Sequence, residues 1–127
     1  MTEYFAEPPR LGEVTAIRDR AKAHETDYHV GCVMLNADEE IIAEGFNVEV
    51  TGANGWCAER TAIFQALYLE VIDQATQMVV IGDDLYANPC GACRQAIRDY
   101  VNENCLVWWN TESGWTNLPA AELMKGR

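Results

Sequence analysis

The chain has 127 residues, of which 49 % are hydrophobic, which is enough for the core of one ordinary domain. Its 20 acidic and 9 basic residues give a formal net charge of −11, without a cluster of Lys and Arg. This balance argues against a nucleic-acid partner, because such proteins normally carry a basic patch. No apolar stretch of about 20 residues is present, so we expect no membrane span. We expect a single domain over residues 1–127.

The first ten residues, MTEYFAEPPR, show no basic segment followed by an apolar run, so no secretory signal is visible. We therefore expect a cytoplasmic protein. In that reducing compartment, the five cysteines are expected to be metal ligands or buried thiols rather than disulfides.

The first half of the chain predicts a helix followed by two paired strands. Apolar residues recur every three to four positions over 11–24, which predicts an amphipathic helix. Runs with β-branched residues over 28–36 and 39–50 predict strands, paired through the polar turn at Ala37–Asp38. The composition of 51–55, TGANG, predicts a loop.

The second half of the chain alternates helices and strands. In chain order the pattern predicts a helix over 57–74, a buried strand over 78–82, a loop over 83–89, a helix over 90–103, a strand over 105–110 and a short helix over 118–126. This alternation after an opening hairpin predicts a mixed sheet with helices on its faces.

Three cysteines lie at the predicted starts of two helices. Cys90 and Cys93 form a Cys-x-x-Cys pair directly after Pro89, and residues three apart on a helical turn share one face. Cys57 begins the preceding helix, and the partial positive charge of a helix N-terminus favours thiolates. The three thiolates form a candidate zinc site, in which a catalytic zinc ion would keep its fourth position for water.

Two side chains next to Cys57 suit catalysis at such a site. Glu59 can take a proton from water and pass it to a substrate nitrogen. Arg60, one turn from Cys57, can offset the negative charge that three thiolates leave on a divalent zinc ion. The three-cysteine form of the zinc deaminase signature has this order of residues, and its glutamate is not a metal ligand.

The motifs CAER (57–60) and PCGACRQ (89–95) resemble those of the cytidine deaminases, specifically the small three-cysteine nucleoside deaminases. HVGCVML (29–35) is similar to a strand motif of that family, and GFNVE (45–49) is similar to its nucleoside-binding motif. The resemblance extends over about residues 10–110. It implies a three-layer α/β/α fold, in which a mixed sheet of about five strands has helices on both faces.

The resemblance also implies a function. It implies one zinc ion per subunit, bound by Cys57, Cys90 and Cys93, with Glu59 as the proton shuttle. The implied reaction is hydrolysis of cytidine, deoxycytidine or a close analogue to the uracil nucleoside and ammonia, a step of pyrimidine salvage. The implied partners are a small nucleoside and further copies of the chain, usually in a homotetramer, without nucleic acid or membrane.

Four residues match substrate positions of the family. The resemblance implies that Asn47 and Glu49 hold ribose hydroxyls. It places Tyr28 along the base pocket and Ala58 in contact with the substrate. The chain departs from the family at Val50, where a second Asn is usual, in a shorter segment before Cys57, and in lacking a C-terminal Leu-Pro-x-x-Phe.

The departures leave open a deaminase of modified or N4-substituted cytosine nucleosides, or of a nucleoside antibiotic such as blasticidin S. Because Glu49 is present, we rank cytidine above blasticidin S as the expected substrate.

A third interpretation is a noncatalytic binding module with a closed zinc site. Its fourth ligand would be Cys32, Cys105, His24 or His29, and it explains neither Glu59 nor Arg60. We expect both of these cysteines in the core instead. The acidic pair at 83–84 is expected to be a solvated turn.

Overall fold

The computed structural model describes residues 6–83, 91–111 and 114–125. In chain order its elements are α1 (Leu11–Arg18), β1 (Val30–Leu35), β2 (Ile41–Phe46), β3 (Val48–Val50), β4 (Ala53–Trp56), α2 (Ala58–Tyr68), a short 3₁₀ helix (Ile72–Gln74), β5 (Gln77–Gly82), α3 (Gly91–Tyr100), β6 (Leu106–Thr111), β7 (Gly114–Pro119) and α4 (Ala120–Lys125). Within the described ranges, no helix has both the length and the apolar character needed to cross a membrane.

Five strands form the central sheet in the order β2-β1-β5-β6-β7. β1 is antiparallel to both of its neighbours, β5 and β6 are parallel, and β7 is antiparallel to β6. β3 and β4 form a separate antiparallel pair. The mixed sheet of about five strands that the sequence predicts is therefore confirmed.

Helices cover both faces of this sheet. α1 buries Val14 and Ile17 on one face, against alternate residues of the two central strands, namely Val33, Leu35, Val79 and Ile81. On the other face the core contains residues of the remaining helices and of the strands, among them Ile63, Ile97, Leu123, Met34, Met78 and Val80. Successive strand residues face opposite sides of a sheet, so strands covered on both faces are apolar throughout. The three layers match the predicted α/β/α fold.

The close approach of α2 to β2 depends on Gly45. A Cβ atom at this position would lie 2.5 Å from the carbonyl oxygen of Ala58 and 2.6 Å from the backbone nitrogen of Ala62. Both neighbours are backbone atoms of a helix, which cannot move aside as a flexible side chain would. Gly45 therefore lets the first turn of α2, which carries Glu59, lie directly against the sheet.

The first predicted helix, 11–24, is too long by six residues. After α1 ends, Lys22 forms an isolated parallel bridge with Val48. The N–H of Lys22 donates to the carbonyl of Asn47 at 3.0 Å, and the N–H of Glu49 donates to the carbonyl of Lys22 at 2.8 Å. Pairing with a distant strand thus replaces the last helical turns that periodicity predicts.

The predicted strand over 39–50 is two strands, and the predicted loop over 51–55 is partly wrong. A turn with a φ angle of 72° at Gly52 leads into β4, which pairs with β3. Gly55 fits here because a Cβ would lie 1.9 Å from the carbonyl oxygen of Val48. Composition predicts a loop, although these small residues permit a tight hairpin.

The predicted helix over 57–74 also ends early. Glu70 has a left-handed φ angle of 59°, and its N–H donates to the carbonyl of Leu67 at 3.1 Å. The N–H of Val71 donates to the carbonyl of Ala66 at 2.9 Å. These two bonds form a Schellman motif, in which glycine is usual at the left-handed position. Because glutamate rather than glycine occupies that position, the sequence does not show where the helix ends.

One strand of the sheet was not predicted. β7 pairs with β6 along its whole length and forms an edge of the sheet. Its sequence, GWTNLP, contains glycine, asparagine and proline, which are depleted in strands, and strand preference depends strongly on context. The helices predicted over 90–103 and 118–126 are present as the shorter α3 and α4, because α3 ends at Tyr100 and positions 118 and 119 belong to β7. Positions 90 and 126 lie outside the described residues.

Candidate active site

The candidate active site is built on the first turn of α2. Cys57 is the N-cap residue of this helix, with extended backbone angles of φ −74° and ψ 154°. Its sulfur makes no capping hydrogen bond to the helix. The thiol therefore lies at the end of the helix where the backbone dipoles favour negative charge.

Glu59 lies two residues further on and is only 5 % exposed. Burial raises the pKa of this carboxyl to about 7, although its own backbone N–H and the Arg60 cation lower it. The charge of Cys57 raises the pKa further, and a hydrogen bond with Cys93 lowers it. A pKa near neutrality suits a group that must both accept and release a proton.

Arg60 faces the sulfur of Cys57. Its Nη2 donates to Cys57 Sγ at 3.5 Å. This hydrogen bond is the main reason why the pKa of Arg60 is raised, and the charge of Cys57 and Cys93 contributes in the same direction. The guanidinium also lies over the ring of Trp56, 5.1 Å from its centroid. A fixed positive charge is thus held beside two thiols.

Cys93 reaches this group from the first turn of α3, and its side chain is buried. Its hydrogen bond with Glu59 links the starts of the two helices. The structure therefore brings together Cys57, Glu59, Arg60 and Cys93. Cys90, the third predicted zinc ligand, lies outside the described residues, so the three-thiol site stays a prediction. Two thiols facing one cation and one buried carboxyl are a donor set that fits a zinc–thiolate site.

Cys32 and Cys105 lie in the core, as the sequence predicts. Both side chains are almost wholly buried. Burial raises the pKa of Cys32 well above its usual value and that of Cys105 to about 12. Both thiols therefore stay protonated at neutral pH, as is usual for structural cysteines in a core.

The two histidines have other partners. His24 Nε2 lies 2.8 Å from the hydroxyl oxygen of Thr51, and His29 Nδ1 lies 2.6 Å from a carboxylate oxygen of Asp83. Across the described part of the chain, no three His, Cys, Asp or Glu side chains form a group that could hold a metal. The closed site, which would add Cys32, Cys105 or a histidine to Cys57 and Cys93, is therefore not formed there.

Asn47 binds the segment that leads into β1. Its Oδ1 accepts the N–H of Val30 at 2.8 Å, and its Nδ2 donates to the carbonyl of Tyr28 at 2.9 Å. An amide has two acceptor sites and two donor hydrogens, so one of each remains. Tyr28 itself is half-buried. The two predicted substrate residues are thus connected to each other.

Glu49 binds a loop. Its Oε1 accepts the N–H groups of Glu25 and Thr26 at 2.8 and 3.0 Å, and its Oε2 accepts the Thr26 hydroxyl at 2.5 Å. The hydrogen bond from Thr26 lowers the pKa of Glu49, so this carboxyl is ionised at neutral pH. Ala58 is fully buried at the start of α2.

Sequence reasoning missed the contacts of two side chains. The sequence marks the segment before Cys57 only as shorter than usual, although its Trp56 lies against Arg60. Asp83 is exposed, as expected for the acidic pair, but it also makes contacts that the sequence does not indicate. Its Oδ2 accepts the backbone N–H of His29 at 2.7 Å and contacts the imidazole, and its Oδ1 lies 3.7 Å from Nε of Arg18. The partner histidine is 54 positions away, so no local pattern indicates the contact.

Comparison with known proteins agrees with this geometry. Residues 11–108 match the family model of the cytidine and deoxycytidylate deaminase zinc-binding region. A cytidine deaminase of Sporosarcina psychrophila is 31 % identical over 118 residues, which are 91 % of this chain and 86 % of the relative. A cytidine deaminase of Halalkalibacterium halodurans is 30 % identical over 120 residues, covering 91 % of this chain and 89 % of the relative. The crystal structure of cytidine deaminase from Burkholderia pseudomallei has a TM-score of 0.77 at 28 % identity, and covers 88 % of this chain and 91 % of that one. The chain therefore belongs to the cytidine and deoxycytidylate deaminase family.

Proposed function

We propose that the protein is a zinc-dependent hydrolase that converts cytidine or deoxycytidine to the uracil nucleoside and ammonia. The observation that carries the proposal is the buried Glu59 carboxyl, which lies beside Cys57 and Cys93 where the starts of two helices meet. The relatives named cytidine deaminase support a nucleoside as the substrate. This reaction would serve pyrimidine salvage.

The metal would be held by three thiolates, with one zinc ion per subunit. Cys57 and Cys93 fit this role by position, and Cys90 completes the proposed set. When bound, zinc would supply a Lewis acid that lowers the pKa of water, so that a deprotonated, nucleophilic form is available near neutral pH. Arg60 offsets the excess negative charge of the thiolates through its contact with the Cys57 sulfur.

Glu59 moves the protons of the reaction. Its carboxylate accepts a proton from the attacking water and delivers it to N3 of the cytosine ring. After the water oxygen has bonded to C4, Glu59 takes the remaining proton of the new C4 hydroxyl and passes it to the amino group. The C4–N bond then breaks, a carbonyl forms at C4 and ammonia is released. Because Glu59 is buried, bulk water does not compete for these transfers.

The nucleoside would be bound by the remaining predicted residues. We assign the ribose hydroxyls to the free donor and acceptor of Asn47 and to the ionised carboxylate of Glu49. Tyr28 would line the base pocket, since Asn47 fixes its backbone. The backbone of Ala58, at the start of α2, would contact the base.

Replacement of Glu59 tests the mechanism. In Glu59→Ala, zinc content should stay at one ion per chain, while ammonia release from cytidine falls by at least about 10²-fold because the proton shuttle is lost. Cys90→Ala is the matched control, in which zinc content itself should fall. Near-normal turnover of Glu59→Ala would contradict the mechanism, and full zinc occupancy of Cys90→Ala would contradict the ligand set.

A substrate panel tests the specificity. Ammonia release is measured with cytidine, deoxycytidine, free cytosine, N4-substituted cytidines and blasticidin S. We expect the first two to react fastest. Preference for an N4-substituted cytidine or blasticidin S would identify a modified-nucleoside or antibiotic deaminase. No release from any compound would favour the noncatalytic zinc-stabilised module.

We also propose that the chain forms a homo-oligomer, a tetramer by analogy with the family. Large apolar side chains of α2 and its C-terminal end are exposed, namely Phe64, Tyr68 and Leu69. Contiguous exposed apolar residues commonly mark an interaction surface. Because the ligand thiols must stay reduced, we place the protein in the cytoplasm.

A further inference from the structure

Trp56 lies directly before the first predicted zinc ligand, at the end of β4, and none of the roles assigned above uses it. Trp56 is 52 % exposed, although tryptophan is highly buried on average. The guanidinium carbon of Arg60 lies 5.1 Å from the centroid of its ring. This is within the range of a cation–π interaction, for which tryptophan is the best aromatic partner.

The same guanidinium reaches the sulfur of Cys57. Arg60 Nη2 donates to Cys57 Sγ at 3.5 Å, so one planar cation lies between an indole ring and a thiol. Nε of Arg60 is buried and has no hydrogen-bond partner among the described residues. The other hydrogen bonds of the guanidinium are with the Cys57 and Cys93 sulfurs, and the indole ring adds an apolar surface that restricts its orientation.

Phe64 supports the indole from the helix. The rings of Trp56 and Phe64 meet edge to face, with centroids 5.6 Å apart and an angle of 80° between their planes. Aromatic pairs favour this arrangement. Arg60 and Phe64 are four residues apart on α2, so they lie on one face of the helix. Trp56 thus contacts two successive turns of the helix that carries Glu59.

We propose that Trp56 is a positioning residue, which holds the Arg60 cation against the Cys57 sulfur and so strengthens zinc binding. The inference rests on the proposed zinc–thiolate function of Cys57. Loss of the indole would leave the charge of Arg60 in place but allow the side chain to turn towards solvent. The thiolate charge would then be offset less effectively, and zinc would dissociate more readily.

The test measures zinc affinity of the full chain by competition with a chromophoric chelator. In Trp56→Leu and Trp56→Thr, affinity should fall about two- to fivefold, the range expected for loss of an exposed cation–π contact. Trp56→Phe keeps an aromatic face and should lie between these variants and wild type. The same Trp56 substitutions made together with Arg60→Gln should cause no further loss, because the positioned cation is absent.

The outcomes separate this inference from the proposed function. Wild-type protein without zinc would contradict the function itself. Unchanged zinc affinity in Trp56→Leu and Trp56→Thr would overturn the inference, as would an undiminished effect in the Arg60→Gln background. A raised KM with normal zinc affinity would also overturn it, by assigning Trp56 to substrate binding. If neither non-aromatic variant folds while Trp56→Phe does, Trp56 has a packing role and the proposal is wrong.

Discussion

At the scale of single residues, the side chains predicted to bind ribose are also structural. The amide of Asn47 connects the end of β2 with the backbone of residues 28–30. The carboxylate of Glu49 connects β3 with residues 25 and 26. A polar residue next to a binding pocket can serve both purposes, because amides and carboxylates accept more than one hydrogen bond.

Asn47→Ala should lower both stability and nucleoside affinity. The substitution leaves the N–H of Val30 and the carbonyl of Tyr28 without their partner, which should reduce the free energy of unfolding by about 1–3 kcal/mol. Denaturant unfolding measures that loss, and steady-state kinetics should show a raised KM for cytidine. Normal stability would contradict the bridging role, and an unchanged KM in a folded variant would contradict ribose binding.

Glu49→Gln separates the two roles of the carboxylate. Glutamine keeps an oxygen that can accept the N–H groups of residues 25 and 26, so stability should change little. If the carboxylate binds a ribose hydroxyl, KM should rise about 10- to 100-fold, the equivalent of one hydrogen bond to a charged group. Thr26→Val is the control, because it removes the hydroxyl contact with Oε2 but keeps the charge of the carboxylate and its two backbone hydrogen bonds. An equal rise in KM for both variants would show that Glu49 acts only through the loop.

At the scale of elements, the sequence predicts whether a segment is a helix or a strand better than it predicts where that element ends. Hydrophobic period identifies α1 and α2, but not where they stop. α1 ends where Lys22 pairs with Val48, and α2 ends at a left-handed Glu70. Neither event has a local signature, since the first depends on a distant strand and the second uses glutamate where glycine is usual. β4 and β7 were missed because both contain glycine and asparagine, which are depleted in strands, and because their pairing partners are not visible in a local pattern.

Gly45→Ala should destabilise the protein. A Cβ would press on the backbone of α2 at Ala58 and Ala62, so the free energy of unfolding should fall by about 1–3 kcal/mol. Turnover should fall as well, because the helix start that carries Glu59 must shift. Gly12→Ala on α1 is the control: a Cβ there meets no atom within 4 Å, and stability should stay the same or rise. Equal stability of both variants would show that the helix does not rely on this close contact.

The ion pair between the start of β1 and the end of β5 should make stability depend on pH. The hydrogen bond to Asp83 raises the pKa of His29 above its usual 6.5. For Asp83, burial opposes ionisation, but the hydrogen bonds from His29 outweigh it and lower the pKa. A histidine with a raised folded pKa stabilises fully below its unfolded pKa, and this contribution is lost as pH rises through the folded pKa. Around the imidazole, Asp27 and Asp19 add to the effect, and Arg18 stabilises the Asp83 carboxylate.

His29→Gln removes the titrating group. Denaturant unfolding should therefore show a larger difference in the free energy of unfolding between wild type and variant at about pH 5.5 than at about pH 8.5. His24→Gln is the control, since His24 contacts a hydroxyl group rather than a carboxylate. A difference for His29→Gln that is constant between these pH values would contradict the charged pair.

At the scale of the whole molecule, the site depends on where the topology brings two helix starts. Residues 57–60 and 89–95 predict the chemistry, because a cysteine pair and a Cys-x-Glu at two helix starts are specific signals. The contact of Cys93 with Glu59 needs α2 and α3 side by side on one face of the sheet. Trp56 and Asp83 could not be predicted in the same way. The contacts of both residues depend on how the chain packs, and no motif in the sequence around either residue indicates them.

The exposed apolar residues of α2 predict that copies of the whole molecule associate. Tyr68 is 89 % exposed beside Leu69, on the helix that carries Glu59. If copies of the chain associate through this surface, Tyr68→Glu should place a charge in the interface and shift the chain towards monomer. Tyr100→Glu is the matched control, because Tyr100 is also exposed but lies at the end of α3. Sedimentation velocity at several protein concentrations measures both. A monomeric wild type would contradict the homo-oligomer, and an equally assembled Tyr68→Glu would place the interface elsewhere.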